Sequence, residues 1–314
     1  GVIGAYFVLQ EQIKNDAQKY KFDKDESTYF KILEMFKDEK NDLLAMNSDI
    51  FEEVLNAIHE KKNKFIERKV DEKKQKEFDK ADKNFRTQIE QVLHPIEFVG
   101  YDNPYFELKG ILGNLLRSID ASDYSLFSES LSLIEEGQRY EHTELNSEGI
   151  ALIKPALNLW HRIEELTFDS YELSEEEVEQ IVNTVYSKNH SSLGNYFRIF
   201  HRLIKQITNS SFDDNQEEEY LGITRAILSS EELLVILYNI FYSVRGKGLK
   251  ELLTKYNNTG NKTAFFADEL DLQNFNIKEV DGQVDLPFFK YDDLIFGDRD
   301  LEKIQSLTNY KKEK

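Results

Sequence analysis

Cysteine is absent from the 314-residue chain. That excludes disulfides, thiolate zinc sites and cysteine nucleophiles, and it is compatible with a cytosolic protein. Turn-formers are scarce, with 4 prolines and 14 glycines, and an all-β protein needs more punctuation than that. The apolar start of the chain, Gly1-Val-Ile-Gly-Ala-Tyr-Phe-Val-Leu9, is too short to cross a bilayer, which takes ~20 residues. It also lacks the charged n-region and cleavage site of a signal peptide. It is expected to be either the end of a transmembrane helix or a buried first turn. Basic charge is in short supply as well: 40 Lys and Arg stand against 59 Asp and Glu, a net charge of -19. A surface that grips nucleic acid normally carries a basic stripe, because phosphate contacts supply much of the affinity. Residues 61–94 are lysine-rich, but their 11 bases are interleaved with 7 acids and read as a solvated helix face. Composition therefore disfavours nucleic acid as a partner.

Several catalytic and metal-binding patterns are missing too. There is no His-Glu-x-x-His and no Gly-x-Ser-x-Gly. His161 and Glu164 share a helix face, but a di-metal bundle needs two such units and further glutamates, so His161 reads as a core or helix-surface residue. Arg245-Gly-Lys-Gly-Leu-Lys250 lacks P-loop spacing and reads as a helix C-cap turn. The acids from Asp213 to Glu219 read as a turn rather than a calcium site. No metal and no cofactor is expected.

What the chain has is helix-forming residues, with Glu, Lys, Leu and Ile dominant, and 40% hydrophobic residues, enough for a core. The pattern predicts an all-α fold: a long N-terminal helical hairpin, then a multi-helix bundle, then an acidic C-terminal region. The apolar stub covers 1–12, the hairpin 13–95, the bundle 96–260 and the acidic region 261–314. In the first helix Tyr29, Phe30, Leu33, Met35 and Phe36 give an apolar stripe. In the second, opened by Ser48, Phe51, Leu55, Ile58 and Phe65 keep seam spacing, and His94-Pro95 stops it. Shorter helices follow over 108–119, 124–136 and, around Trp160, 150–167. Ser174 with Glu177 and Ser229 with Glu232 form capping boxes. Leu193, Phe197, Phe200, Ile204 and Ile207 repeat at helical spacing. The helix over 231–244 is apolar nearly all round and belongs at a bundle centre. Residues 268–300 are expected to pack loosely on the bundle surface.

Two stretches carry a family resemblance. In His190-Ser-Ser-Leu-Gly-Asn-Tyr-Phe-Arg198-Ile-Phe-His201, a leucine-glycine pair precedes an aromatic-aromatic-arginine helix. Tyr220-Leu-Gly-Ile-Thr-Arg225-Ala-Ile-Leu-Ser-Ser-Glu-Glu232 follows, then Leu237-Tyr-Asn239 and the glycine turn Arg245-Gly-Lys-Gly248. Their order and spacing resemble the putative phage abortive infection (AbiC-like) family. Leu9-Gln10 and Tyr29-Phe30-Lys-Ile-Leu-Glu34 are loosely similar to the helix after that family's membrane segment. The resemblance implies a bacterial antiviral role, phage resistance through abortive infection. It also implies a cytoplasmic domain tethered to the inner membrane by a segment N-terminal to Gly1. It brings no catalytic residues with it.

Candidate site residues come from the sequence itself. Arg198, His201, Arg202 and Lys205 share the polar face of their helix. They suit an anionic group such as phosphate, with His201 as general base. The alternative is that Arg198 pairs with a carboxylate inside the bundle, Glu232 being the candidate, and Arg225 has the same two readings. Asn239 interrupts the most apolar helix, where its amide needs a partner. It either pins a loop or lines a pocket with Arg198 and Arg225. HEPN-type ribonucleases place four to six residues between arginine and histidine. Arg198 and His201 have two between them, as do Arg139 and His142, and Arg86 and His94 have seven. Two functions follow. One is a membrane-tethered sensor or effector that meets a phage or host protein trigger, with the hairpin available for homo-oligomerisation. The other is a divergent ribonuclease centred on Arg198, His201 and Arg225. The second requires Arg198 and His201 to converge on an accessible pocket.

Overall fold

The computed structural model describes residues 2–96, 105–139, 147–255, 260–262, 264–267, 270–273 and 290–308. Two long helices come first, α1 (Val2–Met46) and α2 (Ile50–Ile96), joined by a turn in which the Asp49 amide donates to Asn47 Oδ1 (3.1 Å). Then come α3 (Tyr105–Asp120), α4 (Tyr124–Arg139), α5 (Ser147–Glu164), α6 (Glu175–Lys188), α7 (His190–Asn209), α8 (Asp214–Ala226), α9 (Ser230–Tyr242), α10 (Lys247–Leu253) and α11 (Asp298–Gln305). Among the described residues there is no β-strand, and the fold is all-α. No helix among them is long and apolar enough to cross a membrane.

The helices fall into two compact units. One comprises residues 1–62 and 174–314, the other 63–173, so α2 contributes to both. In the smaller unit Phe78, Ile89, Leu112, Leu115, Phe127, Leu131 and Ile163 form a buried cluster around Trp160. The indole Nε1 donates to Ser128 Oγ (3.0 Å), which satisfies the one polar atom this ring carries. Glu164 accepts from Lys74 (3.2 Å) and from the Tyr124 hydroxyl. His161 lies on the exposed helix surface.

In the larger unit α1 packs along α7. Tyr29, Leu33, Phe36 and Leu43 are buried at spacings of 4, 3 and 7, while Phe30 and Met35, which the sequence pattern also put in the stripe, are exposed. Phe36 meets Tyr196 (5.1 Å between ring centroids) and Phe200 (5.4 Å). Leucine and phenylalanine buried this fully contribute ~1.5–3 kcal/mol each. Helix α9 is the centre: every residue from Glu232 to Tyr242 is buried. Both expected capping boxes are present, at Ser174 and Ser229. A third starts α8, where Asp213 and Gln216 cap each other. The acids from Asp213 to Glu219, expected as a turn, are thus a helix N-cap and its first turns, where negative charge is favoured by the helix dipole.

The C-terminal acidic region also departs from expectation. Residues 274–289 lie outside the described residues, but 290–308 are built into the core. Leu294, Leu301, Ile304 and Leu307 are buried, and Asp300 is fully buried. Its carboxylate accepts from Tyr238 (2.9 Å), Tyr242 (2.7 Å) and the Phe296 amide (2.9 Å). The two tyrosines sit four apart on α9, one turn, so they present both hydroxyls to one acid. Burial raises the Asp300 pKa above the ordinary aspartate value, and these hydrogen bonds and Lys62 oppose it. A raised folded-state value means the contribution is present at low pH and is lost as pH rises through that value. Asp300→Asn is expected to flatten the acid-range dependence of melting temperature. Tyr242 reverses its hydroxyl to accept from the new amide, and stability falls by only about 1 kcal/mol. Thermal melts across acid to neutral pH check this; an unchanged pH profile would show that Asp300 does not titrate with folding.

Candidate functional site

Helix α7 is amphipathic by construction. Leu193, Tyr196, Phe200, Leu203, Ile204 and Ile207 face the core, which leaves Arg198, Arg202 and Lys205 exposed and His201 half-buried on the other side. Arg198 does not reach Glu232. Its Nε donates to the Gly194 carbonyl (3.2 Å) and its Nη2 to Asn195 Oδ1 (3.4 Å). Arg202 makes no hydrogen bond or ion pair among the described residues. Glu232 is instead held by Lys40 of α1 and by the Tyr196 hydroxyl (3.1 Å). A side chain near the end of the first helix therefore fills the role the sequence suggested for Arg198.

Facing this side of α7 is the turn after α9. A 3-10 turn, Val244–Gly246, leads directly into α10. The segment read as a C-cap turn is thus a junction between helices. It brings Arg245 against His190, with Arg245 Nη1 2.7 Å from His190 Nδ1. Two glycines make room for the two histidines. A Cβ on Gly194 would lie 2.9 Å from His190 Cε1, and one on Gly248 would lie 3.4 Å from His201 Nε2. The result is a cleft of ≈ 730 Å³ between α7 and this junction, with Asn239 and Ser243 also lining it. Three arginines and two histidines line it, and no carboxylate does, in a chain whose net charge is -19. Burial lowers the His201 pKa, helped by Lys205 and opposed by a hydrogen bond to the Gly248 backbone. A cation-lined, carboxylate-free concavity focuses positive potential on whatever enters it.

Residues 188–258 match the family described as putative phage abortive infection protein. Every residue lining the cleft except Tyr186 lies in this matched segment. No curated protein and no solved structure matches the chain.

The matched segment brings Arg198, His201, Arg202 and Asn239 to one cleft, but not Arg225. That arginine, in the last turn of α8, donates to the Ala264 carbonyl (3.4 Å) and is absent from the cleft lining. Sequence reasoning missed His190, Asn195 and Arg245 as site residues. The signal was there in Leu193-Gly194 and Arg245-Gly-Lys-Gly248, whose glycines mark close approach. Among the described residues no cluster of three or more metal-ligating side chains occurs.

Proposed function

We propose that this protein acts in abortive infection through the α7 cleft, and that the cleft binds an anionic ligand whose occupancy governs the defence response. One observation carries this reading: three arginines line the cleft with no carboxylate among the lining residues. Arginine donors with no acid to pair with are the usual means of recognising phosphate or carboxylate groups. A role as a sensor that passes the signal to phage or host proteins fits a highly acidic exterior, since net charge steers protein partners. Tethering to the inner membrane, which rests on the family resemblance, and assembly through α1 and α2, which rests on the two long helices, belong to the same proposal.

A second reading keeps the cleft catalytic. Arg198 and His201 line the same accessible cleft, and a His201 whose pKa burial holds below the ordinary histidine value suits a general base. In that reading the reaction is cleavage of RNA, with Arg225 left out of the machinery.

A phage plating assay with the full-length gene tests both. Arg198→Ala and Arg202→Ala are expected to abolish protection while folded abundance stays normal, because both side chains are exposed and such changes cost within about 0.5 kcal/mol. His201→Ala is expected to retain protection if the cleft only binds, and to lose it, together with infection-dependent RNA cleavage, if the cleft catalyses. Protection that survives both arginine changes would sink the cleft as the working site.

A further inference from the structure

Positive charge is half of what the cleft offers. Its lining also includes Leu193, Leu249, Tyr186 and half-buried Phe197, the two rings 5.9 Å apart. Asn239 lies among them, 5% exposed, in a helix otherwise apolar from Leu233 to Phe241 apart from the Tyr238 hydroxyl. Its carboxamide makes no hydrogen bond to any described residue. Thr208 Oγ1 is the one buried side-chain polar atom sealed from solvent without a partner among the described residues. The Asn239 amide must therefore meet solvent, and the cleft is the surface it lines. A nearly buried amide with its donor and acceptor both unused is costly unless something pairs with it.

Inorganic phosphate would use the arginines and leave the aromatic wall and the amide idle. A ligand that uses all three has an anionic group, a flat apolar ring and a donor–acceptor edge. We propose that the cleft binds a free nucleotide: its phosphate on Arg198, Arg202 and Arg245, its base against Phe197, and its base edge paired with Asn239. Asparagine presents a donor and an acceptor side by side, which matches the edge of a base, and aromatic rings stack on bases of any sequence. The cleft volume of ≈ 730 Å³ falls in the small-ligand range. A long strand is disfavoured, because a surface of net charge -19 repels the phosphates that extend beyond the cleft. The inference rests on the reading of the cleft as an anion site.

Isothermal titration of the full chain tests it, with nucleoside monophosphates of the four bases, the uncharged nucleosides, inorganic phosphate and a short single-stranded oligoribonucleotide as probes. At least one monophosphate is expected to bind about tenfold or more tightly than inorganic phosphate or its own nucleoside. Arg198→Ala is expected to weaken it about tenfold or more. Asn239→Leu, close in volume and suited to its apolar helix, is expected to erase the preference among bases and leave phosphate binding in place. If inorganic phosphate binds as well as every monophosphate, the nucleotide assignment is overturned and the anion site stands. If no anion binds, both fall. An oligonucleotide that outbinds the monophosphate overturns the choice of a free nucleotide. The comparison of monophosphate with phosphate is made on the unmodified protein, so it decides the matter even if Asn239→Leu misfolds.

Discussion

Lys40→Met is expected to destabilise the protein by about 3 kcal/mol, because it leaves the Glu232 carboxylate buried without its counter-charge. Glu232 is 1% exposed. It accepts from Lys40, from Tyr196 and from the Ser229 amide (2.8 Å), the last being half of the capping box that starts α9. Lys40 also donates to the Ile227 carbonyl (2.7 Å) just before that cap. One lysine on α1 thus satisfies two acceptors at the start of the most buried helix. Removing the amine strands a charge, whereas removing the charge itself is milder. Lys40→Met combined with Glu232→Gln is therefore expected to recover at least half of the loss, since glutamine keeps the capping box and carries no charge. Chemical denaturation of the two variants and the Glu232→Gln single mutant gives the coupling. A Lys40→Met protein within about 0.5 kcal/mol of the parent, the range of neutral surface changes, would show that the pair does not hold α1 to α9.

How much of this is visible in the sequence depends on the range of the interaction. The capping boxes at Ser174 and Ser229 are legible because both partners lie three residues apart, and the third, Asp213 with Gln216, is masked only by its acidic neighbours. The seam of α7 is legible from its spacing except at Phe197, which is half-buried and lines the cleft. The partner of Glu232 is not, since Lys40 lies 192 residues away in the chain and nothing local distinguishes it from the other lysines of α1. Asp300 is hidden by composition. In an acidic stretch each aspartate looks solvated, and the feature that buries this one is a pair of tyrosines on α9. The cleft is half legible. One wall is the polar face of α7, which a helical wheel displays. The other comes from Arg245 and Gly248, brought across by the turn after α9. Arg225 stands outside the α7 cleft, and Arg198 away from Glu232, for one reason: a helical face says which residues are neighbours on one helix, and not which helix comes to meet them.

Gly246→Ala is expected to cost about 3 kcal/mol or more, the upper range for forced overpacking, and to dismantle the cleft. Gly246 has ordinary right-handed backbone angles, so the requirement is space and not conformational freedom. A Cβ there would lie 1.9 Å from the Asn239 carbonyl oxygen, 2.5 Å from its carbon and 2.7 Å from Ile240 Cα. All three are backbone atoms of the central helix and cannot rotate aside. The Asn239 carbonyl already accepts from the Ser243 amide (3.2 Å), and the Gly246 amide donates to the Ser243 carbonyl (3.0 Å), so the turn is tied where the new methyl would have to stand. Relief requires the turn to lift off α9, which moves Arg245 away from His190 and opens the cleft beside Asn239. Two other glycines serve as controls in the same thermal melts. A Cβ on Gly222, within α8, would meet nothing within 4 Å, and alanine there is expected to stabilise by about 0.5–1 kcal/mol. Gly248→Ala would meet only the His201 ring, with Nε2 nearest at 3.4 Å, and is expected to leave the melt near the parent. If all three variants melt together, the close approach of the turn to α9 is not what sets the geometry of the cleft.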